Sequence, residues 1–446
     1  MTTRPAAPVS SARRRQVVDA LRRGTVPETG LDLFAVGLDR FASALDDELA
    51  SVARGGAAFH AIRGEYGSGK TFFARWLAER AKKVGLATAE IQISETETPL
   101  HRLETVYRRL TEHLATATHQ PSALRSIIDA WFYTLEEDAA ADPEVSGDPT
   151  LLSAAVDGLL EQRLAEVSLA APAFAAALRG YRAARLTGNS ATSEALIAWV
   201  GGQPSVAAGA KRAAGLRGEI DHTAALGFLR GLLIVLRECG HPGLLVVLDE
   251  IETLQRVRTD VREKGLNALR QLLDEIDAGR FPGLFLVITG TPAFFDGQQG
   301  AQRLPPLAQR LATDFTTEPR FDSPRAVQLR LAGFDLERLG ELGRRVRDLY
   351  TQGARNPQRI AAHVDDRYID TLAAAVTGGL GGQVGIAPRL FLRKLVGDVL
   401  DRVDEFENFD PRAHYRLTVA ATELTDVERN AAVPASSADE IALDLP

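Results

Sequence analysis

Residues 64–71, Gly64-Glu65-Tyr66-Gly67-Ser68-Gly69-Lys70-Thr71, set glycines, a lysine and a hydroxyl in the spacing G-x-x-x-x-G-K-[ST]. Glycines in such a run let backbone N–H groups curl around phosphate oxygens without interference from Cβ atoms. Lys70 would then reach the β- and γ-phosphates, and the Thr71 hydroxyl would serve Mg²⁺. The pattern implies ATP with magnesium, held by residues Gly64 to Thr71 and by Phe72 at the start of the next element. A glycine-rich turn that binds nothing is the competing interpretation, and the strand-then-helix context argues against it.

A second, independent signal is Leu244-Leu245-Val246-Val247-Leu248-Asp249-Glu250, an apolar run that ends in two carboxylates. A buried strand of this kind delivers its acids to the carboxyl edge of a parallel sheet, where ligands sit. Asp249 would hold the magnesium and Glu250 would orient and activate the attacking water; a solvated acidic turn is the plainer alternative. Leu284 to Ile288 is followed by Thr289-Gly290-Thr291-Pro292, so Thr289 is the candidate to sense the γ-phosphate or the lytic water, although turn chemistry alone accounts for such a run. Arg310, with Arg303 in reserve, is the candidate to reach a neighbouring subunit's phosphate in trans and thus implies a homo-oligomer. Arg389, after Pro388 in Gly385-Ile386-Ala387-Pro388-Arg389-Leu390, is the candidate to approach the nucleotide from a C-terminal helix; an exposed helix arginine is its alternative.

The elements that must position these groups follow from periodicity. Residues 57–63 read as a short buried strand before the glycine loop, Lys70 to Val84 as a helix stopped by Gly85, and 86–93 as a half-buried strand. Helical patterns cover 14–23, 39–53, and then 100–117, 122–139, 150–168, 172–186 and 221–238, broken by the loop Asp142 to Pro149. After Asp322-Ser323-Pro324 the spacing is helical throughout, at 324–332, 336–352, 366–377 and 387–403. The expected organisation is a flexible tail (1–13), the first half of an ATPase core (14–99), a mostly helical insertion (100–240), the second half of the core (241–322), a helical lid (323–429) and an acidic flexible tail (430–446).

A chain of 446 residues with 45% hydrophobic content is long enough for more than one core. The single cysteine, Cys239, excludes an intrachain disulfide framework and suits a reducing compartment. No signal peptide or membrane span is legible, so a cytoplasmic protein with no membrane contact is expected. A net charge of −7 argues against a generally basic coat but leaves DNA contact through a local arginine strip open.

With this order of strand, glycine loop, helix, helical insert, acidic strand and helical lid, the chain resembles the AAA+ P-loop ATPases. It is most similar to the origin-recognition-like branch, in which a Pro-Arg pair, here Pro388-Arg389, opens a lid helix. Four strings resemble more narrowly the ATP-binding BrxD family of bacterial BREX phage-defence systems: Leu21 to Pro27, Arg63 to Thr71, Thr98-Pro99-Leu100-His101 and Pro388 to Arg393. The resemblance implies an ATPase acting with a helicase-like defence protein on or near DNA. A nucleotide-gated scaffold or DNA-loading protein, in which ATP binding and not turnover controls assembly, is the alternative.

Overall fold

In the computed structural model, residues 10–379, 388–419 and 424 are described. Residues 1–9 of the tail expected at 1–13, the whole of the tail expected at 430–446, and Gly385, Ile386 and Ala387 before the Pro-Arg pair lie outside them. The chain divides into two compact units: one comprises residues 43–63 and 80–329, the other the described residues within 1–42, 64–79 and 330–446.

The first unit contains the sheet. Strands β1 (Ala58–Arg63), β2 (Ala87–Gln92), β3 (Leu244–Asp249), β4 (Leu284–Gly290) and β5 (Gln328–Arg330) lie in the order β2-β3-β4-β1-β5. The β1–β4, β4–β3 and β3–β2 pairs are parallel. Every residue of β3 and β4 is buried, the state of parallel strands covered on both faces, and their near-continuous Leu, Val, Ile and Phe sequence follows from it. Register sets Ile62 beside Thr289, Leu248 beside Ile288, and Gln92 beside Asp249, so these strand ends share one edge.

Helices fill the rest of this unit. Helix α4 (Leu103–Glu112) packs on β2 and on the helix His222–Glu238, and α5 (Leu124–Ala140) packs on Pro149–Ala170. Phe228 is an aromatic hub that meets the edges of Tyr107, Phe174 and Trp199 at centroid distances of 5.1–5.7 Å. The buried Tyr107 hydroxyl donates to the Val200 carbonyl at 3.0 Å, which satisfies the one polar atom that the ring carries inward. Residues 100–240 thus belong to the same compact unit as the sheet.

The second unit is helical. Helix α1 (Ser11–Arg23) is capped by the Ser10 hydroxyl and stopped by Gly24, whose φ of 72° is the left-handed conformation that favours glycine. Helix α2 (Asp39–Ala53) and helix α3 (Lys70–Lys83) begin in this unit. At the C-terminal end of α1, Arg22 grips Asp401 with two bonds of 2.6 and 2.9 Å, and the Tyr350 hydroxyl donates to the same carboxylate at 2.8 Å.

Four expectations are corrected. Helix α1 starts at Ser11, inside the stretch expected to be tail, because Ser10 supplies a cap. Residues 86–93 alternate in exposure only from Glu90 to Ile93; Leu86 to Ala89 are all buried, and α4 packs on β2. Residues 324–332 are not a helix: they carry β5, held to β1 through Ala61 N–H and the Val327 carbonyl at 2.8 Å. Helices Ser190–Val200 and Thr259–Asp277 and a short turn of helix at Pro143–Ser146 add to those expected.

Candidate functional site

The glycine loop follows directly on β1, and α3 begins at Lys70. Gly67 (φ 78°) and Gly69 (φ 90°) adopt the left-handed backbone that β-carbon-bearing residues avoid, so the loop's curl depends on both. A Cβ at Gly64 would run into the Ser68 hydroxyl and approach Leu331. Lys70 is only 8% exposed; its Nζ donates to the Gly64 carbonyl at 2.9 Å and the Glu65 carbonyl at 3.3 Å. The same ammonium lies 5.1 Å from the Tyr66 ring centroid. The loop thus concentrates a charged donor and the amino end of a 14-residue helix, the combination that attracts a phosphate chain.

In the same unit a cavity of about 240 Å³ runs from Ser68 along Val36–Phe41 to Leu331, Phe334 and Arg338. Its lining mixes the apolar Val36, Leu38, Phe41, Leu331 and Phe334 with the charged Asp39, Arg40 and Arg338. No sequence motif marks it. Its lining comes from segments far apart in the chain, and the one local signal is a glycine, Gly37 (φ 74°), just before α2.

At the carboxyl edge of the sheet, Asp249 is 6% exposed and Thr289 fully buried. The Thr289 hydroxyl donates to Asp249 Oδ1 and accepts from the Glu250 N–H at 3.1 Å; the same N–H lies 3.2 Å from Asp249 Oδ1. Glu250 itself has φ 61°, one of two non-glycine residues with positive φ among those described. This left-handed step turns the chain sharply out of β3, and Gly290 gives it room, since a Cβ there would press on Ile251 and Phe295. Gln92, at the end of the neighbouring strand, donates from Nε2 to Glu250 Oε2 at 2.9 Å. Asp249, Glu250 and Thr289 are therefore brought together as expected from their strand ends, with Gln92 as a fourth member that sequence reasoning missed.

Each of the three arginines has its neighbours within its own unit. Arg310 binds Asp277 at 2.6 Å and also Asp274, and Arg303 binds Glu263 at 2.8 Å, all on the helix Thr259–Asp277 of the same chain. Arg389 rests beside Gly24 at the carboxyl end of α1, where a helix favours positive charge.

Thr71 and Asp249 each carry a hard oxygen, the donor type that suits magnesium. Among the described residues no group of three or more His, Cys, Asp or Glu forms a metal cage, and no helix is long and apolar enough to cross a membrane.

One comparison with known proteins is informative. The sequence model of a family described as "BREX system ATP-binding protein BrxC/D" matches residues 9–419. No curated protein matches the chain.

Proposed function

The chain belongs to the BREX system ATP-binding protein BrxC/D family, and on that premise we propose that it is an ATP-binding and ATP-hydrolysing component of a bacterial phage-defence system. The observation that carries this reading is the loop Gly64 to Thr71, with its two left-handed glycines and with Lys70 held against the loop carbonyls. In this reading the triphosphate replaces those carbonyls as the partner of Lys70, the amino end of α3 faces the phosphates, and the cavity beside Ser68 takes the nucleoside. Thr71 and Asp249 are the residues that would hold magnesium, and the ion would supply charge neutralisation at the phosphate oxygens. Glu250 accepts a proton from the attacking water, while Thr289 fixes the Asp249 carboxylate and the Glu250 backbone.

Arg310 acts on a neighbouring subunit's phosphate once it is released from Asp274 and Asp277, which requires a homo-oligomer; Arg389 approaches the nucleotide from the C-terminal helices. Turnover drives rearrangement of a DNA-bound assembly that contains a helicase-like partner. A second reading, a scaffold assembled by ATP binding alone, is favoured by the Gln92 bond, which engages the Glu250 carboxylate. Phosphate release by the purified protein, with and without single- and double-stranded DNA at two salt concentrations, separates them. The first reading expects DNA-stimulated turnover that Glu250→Gln abolishes and that added salt weakens. The second expects Glu250→Gln to support phage protection as well as the unaltered protein does.

A further inference from the structure

Residues 24–38 join α1 to α2 with only one short turn of 3-10 helix, Leu31–Leu33, so no ladder of their own fixes their course. They are instead fastened along α3, the helix that begins with Lys70. Glu79, with 13% of its side chain exposed, accepts the Gly30 N–H at 3.1 Å on Oε1 and the Leu31 N–H at 3.0 Å on Oε2, and it also holds Arg13 of α1. One turn earlier on the same helix face, Arg75 donates to the Val26 carbonyl at 2.8 Å. Nearer the start of α3, Phe34 meets the edge of Phe72 at 5.2 Å and Phe41 meets that of Phe73 at 5.6 Å. Gly30 is needed at φ 81°, where a Cβ would stand 2.7 Å from Val17.

The far end of this strap, from Val36 onward, is one wall of the cavity beside Ser68. We propose that Arg75 and Glu79 are positioning residues for the nucleoside half of the ligand: they act through the strap and touch neither phosphate nor base. Bonds between a charged side chain and backbone groups are strong and directional, so the three made by Arg75 and Glu79 tie the strap to α3, beside the side-chain contacts of Thr29, Asp32 and the Ala35 carbonyl with other elements. The inference rests on the nucleotide reading of Gly64 to Thr71, and it assigns a task to the string Leu21 to Pro27, which the hydrolytic chemistry leaves unused. It also separates two contributions to ATP affinity. The triphosphate is held by the loop, whereas the nucleoside depends on side chains of a helix whose first residue is the phosphate-binding lysine.

Titration calorimetry of magnesium-ATP and of magnesium-tripolyphosphate, which lacks the nucleoside, tests this on the full chain with Arg75→Ala, Glu79→Ala and Arg75→Lys. Loss of the bonds to the strap, one from Arg75 or two to Glu79, is expected to weaken ATP by about tenfold or more in each alanine variant and to leave tripolyphosphate within about twofold of the unaltered protein. Arg75→Lys, which keeps a donor for the Val26 carbonyl, is expected to recover most of the ATP affinity. Parallel loss of both ligands, as a folding defect would give, or ATP affinity that does not fall, overturns the proposal. An unaltered protein that binds neither ligand overturns instead the nucleotide reading beneath it.

Discussion

The side-chain amide of Gln92 donates to Oε2 of Glu250 at 2.9 Å, across the β2–β3 pair that sets Gln92 beside Asp249. A carboxylate oxygen engaged by such a bond is held away from other partners. Gln92→Ala is therefore expected to raise ATP turnover several-fold, measured as phosphate release, with ATP affinity unchanged. Turnover that falls would mean that Gln92 orients Glu250 productively.

Thr289 joins the two acids of the adjacent strand, donating to Asp249 and accepting from Glu250 N–H, with no exposed surface. Thr289→Val keeps the shape and removes both bonds. The expected loss of stability is about 1–3 kcal/mol, the net worth of one buried hydrogen bond to a carboxylate and one from a backbone N–H, with turnover reduced more than ATP affinity. A melting temperature equal to that of the unaltered protein would contradict the structural part of this account.

The left-handed backbone of Glu250 is a local cost at a sharp exit from β3. Glu250→Gly removes roughly 1 kcal/mol of that conformational penalty. It is expected to melt at or above the temperature of the unaltered protein while losing phosphate release. A clear drop in melting temperature would show that the Glu250 side chain contributes more to the fold than its backbone costs.

How much of this was legible in the sequence depends on how local each feature is. The glycine loop was readable because phosphate binding fixes glycine, lysine and hydroxyl at set spacings, and β3 and β4 because covered parallel strands must be apolar throughout. Strand β5 was not, since Gln328 to Arg330 is too short to show alternation and owes its conformation to pairing beside β1. The helix Ser190–Val200 opens with Ser-Ala-Thr-Ser-Glu, which resembles a loop until Asn189 is seen to cap Thr192. Gln92 carries no motif; it reaches Glu250 from 158 positions away only because β2 lies next to β3. The cavity beside Ser68 is likewise assembled from three separate segments.

Burial pushes the Cys239 thiol up to about 12 from its ordinary 9.0, and its Sγ donates to the Ile127 carbonyl at 3.3 Å. At neutral pH it is a protonated thiol, so alkylation is expected to be slow in the folded protein and fast in denaturant. The sign for stability follows from the raised folded value. The contribution is present in full below pH 9 and is lost as pH rises towards 12, because only the unfolded chain releases the proton in that window. Rapid alkylation of the native protein at pH 7 would contradict this burial.

Titration calorimetry of magnesium-ATP into the full chain and into Lys70→Ala tests the central claim most directly, that a triphosphate occupies the loop from Gly64 to Thr71. The unaltered protein is expected to bind ATP at a single class of sites, and Lys70→Ala to lose at least about tenfold in affinity, since the ammonium is a charge-assisted donor to the phosphates. No heat from the unaltered protein, or equal affinity in both, would contradict it.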